Sequence, residues 1–304
     1  MATKVTAPYE NLSEAFPYEE PDYSVYDPFL GYSKKSNAIP GYDIWPPGEG
    51  FKDKDIVILT IGGSTTDFGS ARWPAFLGEI LISQGVNTVI LNGGVAGYSS
   101  SQELIKVLRD LPSIKPDIVV SLSGINDFTW GHTRPEFPLL HSYQRRVAEY
   151  LCESTDAFDD WVGGIPHRSD KSEVWLRNIR LMRALCTDAD AQILCCLQPT
   201  MVYGNYHHDE IERKNLLEPF ASKYMNDGDI YRDVAIDFYN SVRSHLQSQP
   251  DIYAHCCDLS FLFDGKVKLY RDYRHQNEAG DRVLAQAIAR EMGERFDIKG
   301  LKNE

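Results

Sequence analysis

The chain has 304 residues, 42% hydrophobic and 12% aromatic, enough to bury a full core, and its length suits one large domain. Its 31 basic and 44 acidic residues leave a formal charge of -13, which argues against nucleic acid or an anionic membrane surface as the main partner. Residues 1–22 carry neither a basic start nor an apolar stretch, and no run approaches the ~20 apolar residues of a membrane span, so the expectation is a cytoplasmic protein without a membrane segment.

Residues 1–52 mix Pro and Gly with many aromatics, among them Tyr23, Tyr26, Phe29, Tyr32, Tyr42 and Trp45. That composition is too aromatic for a free linker and predicts an irregular arm packed on a single domain spanning 53–304. Continuous apolar runs then alternate with amphipathic ones: strand 55–61, helix 72–84, strand 87–92, helix 100–110 and strand 117–122. This order predicts βαβ units, hence an α/β fold with a mainly parallel sheet. A less regular stretch at 128–164, rich in Trp, His, Arg and Pro, is expected to wall a site. It is followed by helix 172–187, strand 191–197, helices 209–225 and 229–247, strand 258–263, a loop through His275 and a last helix 277–294.

The six cysteines include two adjacent pairs, Cys195-Cys196 and Cys256-Cys257, and no spacing matches a zinc site. Adjacent residues of a strand point to opposite faces, so these read as buried thiols rather than a disulfide framework. His207-His208 beside Asp209 and Glu210 reads as a solvated helix start, and neither a metal nor a cofactor is expected.

Four segments lie where predicted strands end or helices begin. Gly62-Gly63-Ser64 closes the first strand and delivers a hydroxyl on a glycine turn, the place where open α/β sheets put their chemistry. Asn92-Gly93-Gly94-Val95-Ala96-Gly97 follows the second strand, Ser123-Gly124-Ile125-Asn126-Asp127 follows the third, and Asp272-Tyr273-Arg274-His275 precedes the last helix. Together they hold the parts of an acyl-transfer site: Ser64 as nucleophile, His275 as its base, and Asp272 to fix the imidazole tautomer. The backbone N–H groups of Ser64 and Gly97 and the Asn126 amide would form the oxyanion hole. Gly94 is a rival to Gly97, which is preferred because Gly97-Tyr98-Ser99-Ser100 runs directly into a helix, where free N–H groups collect.

These segments resemble the four blocks of the GDSL-type, or SGNH, hydrolase superfamily, which contribute Ser, Gly, Asn and His, and the resemblance covers roughly residues 55–294. It implies a three-layer α/β/α, flavodoxin-like fold, with catalytic Ser64, Asp272 and His275 and oxyanion donors Ser64, Gly97 and Asn126. Gly63 and Thr65 depart from the usual Asp and Leu of the first block. Other motifs fail: Thr66 stands where the α/β-hydrolase elbow needs its last glycine, and neither a P-loop nor a dinucleotide pattern follows the first strand.

The expected activity is two-step cleavage of a short acyl ester, including acetyl on a carbohydrate, through an acyl-enzyme. An O-acyltransferase using the same intermediate and a non-catalytic binding module on the same fold are the two rivals. Trp130, His132, Arg134 and Tyr203 are candidates for binding a small-molecule or carbohydrate ester by stacking and hydrogen bonding.

Overall fold

In strand β4 (Ile56–Gly62) alternate side chains enter two different cores: Val57, Leu59 and Ile61 on one face, Ile58 on the other. Period-two alternation with both faces apolar is the mark of a strand covered on both sides. The same division holds along β5 (Thr88–Asn92), β6 (Ile118–Ser123) and β7 (Gln192–Leu197), which pair in parallel with one another through β4 and β6. The computed structural model describes residues 24–27, 29–36, 39–48, 56–69, 71–133, 170–207, 210, 214 and 228–298.

With β3 at Asp43–Trp45 and β8 at Cys256–Asp258, the main sheet has six strands in the order β3-β5-β4-β6-β7-β8. Strand β3 (Asp43–Trp45) is antiparallel to β5 and the other pairings are parallel. Taken in chain order, the five parallel strands run 2-1-3-4-5 across the sheet, the flavodoxin-like order. Helices α2 (Ser100–Ile114), α4 (Lys171–Asp188) and α5 (Gly228–Ser248) cover the face of Val57 and Leu59. Helices α1 (Trp73–Ser83) and α6 (Glu278–Arg295) cover the face of Ile58. The result is the three-layer α/β/α fold expected from the sequence, with helix α3 (Ile125–Thr133) opening after β6.

Each boundary has a local cause. Pro74 sits in the first turn of α1, where its missing N–H costs nothing. The Gln102 side chain accepts from the Ser99 N–H at the start of α2, half of a capping box. Asp170 caps α4 by accepting from Ser172 N, and Asn277 caps α6 by accepting from Gly280 N.

The strand expected at 258–263 is displaced: β8 is Cys256–Asp258, and a turn follows. The Asp258 carboxylate accepts from both the N–H and the hydroxyl of Ser260, offering the backbone a turn in place of a ladder. Residues 128–133, expected to be irregular, continue helix α3, while 134–164 lie outside the described residues. The helix expected at 209–225 falls almost wholly outside them as well. Within the first 52 residues, β1 (Ser24–Asp27) and β2 (Gly31–Lys34) form a hairpin, and Asp43–Trp45 supplies the sheet edge. Leu30 and Tyr32 pack there on Val95 and Tyr98 of the loop after β5.

Candidate active site

The strand order reverses about β4, and in open α/β sheets the crevice at that point lies beyond the carboxyl ends of the strands. All four segments singled out in the sequence emerge at that end: residues 62–67 after β4, 93–99 after β5, 124–127 after β6, and 259–277 after β8. The turn that carries Ser64 is closed by the N–H groups of Thr66 and Asp67, both donating to the Gly63 carbonyl.

The Ser64 Oγ lies 2.7 Å from His275 Nε2, across 211 residues of sequence. On the other side of the ring, Nδ1 lies 2.7 Å and 2.9 Å from the two Asp272 carboxylate oxygens. With Nδ1–H donating to the carboxylate, Nε2 is left as the acceptor for the serine hydroxyl. Asp272 is itself held by the backbone N–H groups of Arg274 and His275, at 3.0 and 2.9 Å. Burial pushes the Asp272 carboxyl up, but the His275 ring and these two backbone donors outweigh it and hold the group below the ordinary aspartate value of 3.8. The carboxylate thus stays charged beside the imidazole, with both side chains mostly covered, 19% exposed for His275 and 15% for Asp272.

Asn126 sits in the first turn of α3, its Nδ2 donating to the Tyr98 carbonyl at 2.8 Å. A Cβ built on Gly63 would stand 2.5 Å from that Nδ2 and 3.0 Å from the same carbonyl. The glycine that replaces the acidic residue of the usual first block therefore lets the amide approach the Ser64 turn. Of the two rival glycines after β5, Gly94 has its N–H engaged by Asn92 Oδ1 at 2.8 Å and is packed against the backbone of Thr66 and Asp67. Gly97 has φ +83 and is the third residue of a turn closed by Tyr98 N–H to Val95 O. A positive φ at that position is the conformation glycine adopts without strain. Among the described residues nothing accepts the Gly97 N–H. The hairpin braces this turn: Tyr32 Oη donates to the Ala96 carbonyl at 2.6 Å, Tyr98 Oη donates to the Tyr32 carbonyl, and the two rings meet edge to face.

Of the wall candidates, Tyr203 is the one whose side chain is described, and it does not join this cluster. Tyr203 is buried, its ring taken up by stacks with Tyr239 and Phe261 and its hydroxyl bonded to Asn240 and Arg243. A ring packed in this way has no face left for a sugar, so Tyr203 is a packing residue. Trp130 and His132 fall on α3 with side chains outside the described part, and Arg134 lies outside the described residues. His207 and Glu210 are exposed, and His208 and Asp209 lie outside. Among the described residues no three His, Cys, Asp or Glu side chains are grouped to hold a metal ion, and no helix is long and apolar enough to cross a membrane.

Two residues that sequence reasoning passed over belong to the site's frame. Gln198, just after β7, donates to Thr65 Oγ1 at 3.2 Å and accepts from Ile125 N at 3.4 Å, tying the Ser64 turn to the start of α3. Arg274 reaches Asn126 Oδ1 at 3.3 Å. A polar residue directly after a predicted strand was the one available signal for Gln198.

Comparison with known proteins supplies the family of the chain. The GDSL-like lipase/acylhydrolase family matches residues 59–283, three quarters of the chain, and the chain belongs to that family. It is accordingly an enzyme, a carboxylic ester hydrolase of the SGNH type. Among solved structures, a catalytic mutant of Axe2, an acetylxylan esterase from Geobacillus stearothermophilus, is 15% identical with a TM-score of 0.50, covering 83% of this chain and 98% of its own. The unmutated Axe2 is 18% identical over the same shares, with a TM-score of 0.48. LAE5, an α/β hydrolase from the metagenome of Lake Arreo in Spain, is 18% identical with a TM-score of 0.46, covering 77% of this chain and 94% of its own. No curated protein matches the chain.

Proposed function

We propose that the chain is a serine esterase that removes short acyl groups through an acyl-enzyme on Ser64. The observation that carries this reading is the unbroken run of hydrogen bonds from Ser64 Oγ through His275 to Asp272, each 2.7 Å at its shortest. His275 Nε2 takes the hydroxyl proton as Ser64 attacks the acyl carbonyl, and the imidazolium that forms is stabilised by the charged Asp272. The negative oxygen of the tetrahedral intermediate is received by the N–H groups of Ser64 and Gly97 and by the Asn126 amide. His275 returns the proton to the departing alcohol, then activates the water that clears the acyl group from Ser64. Acetyl esters of carbohydrates are the first substrate class to test, the class for which the fold-sharing acetylxylan esterase is named.

The test is labelling with a fluorophosphonate probe followed by a substrate series. Ser64 is expected to be modified at one site per chain, with labelling lost in Ser64→Ala and slowed in His275→Ala. Acetyl and butyryl aryl esters are expected to turn over faster than long-chain ones, and acetylated xylo-oligosaccharides to release acetate. A chain that neither labels nor releases acetate would overturn the reading. Product that appears only when a second alcohol is supplied would point instead to acyl transfer.

A further inference from the structure

Arg274 is a buried cation that the reaction described above does not use. It stands between the two residues that serve Ser64, in the same four-residue loop as Asp272 and His275, and is 6% exposed. Its backbone N–H donates to Asp272 and its guanidinium lies over the Tyr273 ring at 4.6 Å. Nη1 donates to Oδ1 of Asn126, which is 7% exposed and 148 residues away in the chain.

This contact gives the Asn126 amide a direction. Oδ1 meets a charged donor, while Nδ2 meets the Tyr98 carbonyl and lies against Gly63, 2.5 Å from where a Cβ would stand. Turning the amide over would set its NH2 against the guanidinium and its oxygen against the carbonyl of Tyr98, and an amide nitrogen has only donors to offer. In a buried setting two such mismatches are costly, because neither group can recover a partner from water. A cation on the oxygen side also draws electron density from the amide nitrogen. The second Nδ2–H, the one not given to Tyr98, becomes the stronger donor toward developing negative charge.

We infer that Arg274 is a positioning residue: through Asn126 Oδ1 it locks the amide with Nδ2 toward the Ser64 turn and strengthens it as an oxyanion donor. The loop that aims His275 at Ser64 therefore also sets the group opposite, so base and oxyanion donor are placed by one segment. This inference rests on the reading of Asn126 as an oxyanion donor.

The experiment is a double-mutant cycle with 4-nitrophenyl acetate, using Arg274→Met, Arg274→Lys, Asn126→Ala and their combinations. Loss of the whole donor costs on the order of 10² to 10³ in kcat, so Arg274→Met is expected to cost about 10- to 50-fold in kcat with KM little changed. Arg274→Lys keeps a charge near Oδ1 and should recover part of that loss. In the Asn126→Ala background neither Arg274 variant should lower kcat further, because the group it acts through is gone. Equal losses in both backgrounds would overturn the inference and leave Arg274 a packing residue. Normal turnover of Asn126→Ala would instead overturn the oxyanion assignment beneath it. Should Arg274→Met fail to fold, as judged by circular dichroism, the Lys variant runs the same cycle and is read by the same outcomes.

Discussion

Gly63 shows how much one missing side chain decides. A methyl group at this position would stand 2.5 Å from Asn126 Nδ2, closer than real Cβ contacts occur, so either the amide or the Ser64 turn must move. Gly63→Ala is expected to fold and to lose turnover on the scale of a lost oxyanion donor, about 10²-fold or more. Steady-state kinetics beside a thermal unfolding curve would check it; unaltered kcat would mean that the amide does not act where it lies. Asn126→Ala should lose a similar factor without the steric disturbance. At this scale Ser64, Asp272, His275, Asn126 and Gly97 were legible because each sits where a periodic run breaks. Arg274 and Gln198 were not, since their partners lie 148 and 73 residues away and no local pattern announces a contact across such separations.

Among the elements, α2 has its N-terminus finished by two other segments. The Ser100 N–H and hydroxyl both bond to Asp127, the residue after Asn126, and Asn178 on α4 donates to the hydroxyls of Ser100 and Ser101. One turn further along α2, Glu103 is fully buried, with one oxygen accepting from Ser121 of β6. Burial pushes Glu103 up to about 8 against the hydrogen bond from Ser121, with the nearby Asp127 charge adding to the rise. Burial likewise pushes Asp127 up to about 6, against its bonds from Ser100.

Both carboxyls are thus protonated in the folded chain at pH values where the unfolded chain would have released the proton. A raised carboxyl contributes stability that is whole below the unfolded value and is lost as pH rises through the folded one, so stability should decline from about pH 4 toward 8. Each group can contribute a slope of at most about 1.4 kcal/mol per pH unit. Urea midpoints measured across this interval should fall with pH in the native chain and fall less steeply in Glu103→Gln. Parallel slopes in the two proteins would contradict the assignment. The strand at β8 teaches the complementary lesson about boundaries. Leu259–Phe263 is apolar enough to suggest a strand, yet the Asp258 side chain, by bonding Ser260, turns the backbone before the run can pair.

Across the whole molecule the sheet separates two cores, and the cysteines record the separation. Cys195 and Cys256 face one core with Cys186, while Cys196 and Cys257 face the other, the strand partners being Cys195 with Cys256 and Cys196 with Cys257. All five are free and buried, and burial pushes the Cys186 thiol up to about 12. A buried neutral thiol is a poor nucleophile. In a Cys152→Ser background, which removes the cysteine outside the described residues, a thiol-reactive dye should leave the folded chain unmodified and label five cysteines once urea unfolds it. Rapid labelling of the folded chain would show that β7 and β8 are not sealed between two helical layers.

Periodicity, composition and turn chemistry were sufficient for the alternating strands and helices, for the α/β class, and for the family to which the four short segments point. These features are local, since a buried strand or a glycine turn leaves its signature within a few residues of chain. Three relations emerged only when the chain closed on itself: the hairpin of the first residues braced on the Gly97 turn, the buried Glu103 beneath β6, and Arg274 set against Asn126. Each joins groups far apart in the chain, and each depends on burial and on the angle between facing side chains. Neither quantity exists until the sheet is formed and its carboxyl ends bring the loops together.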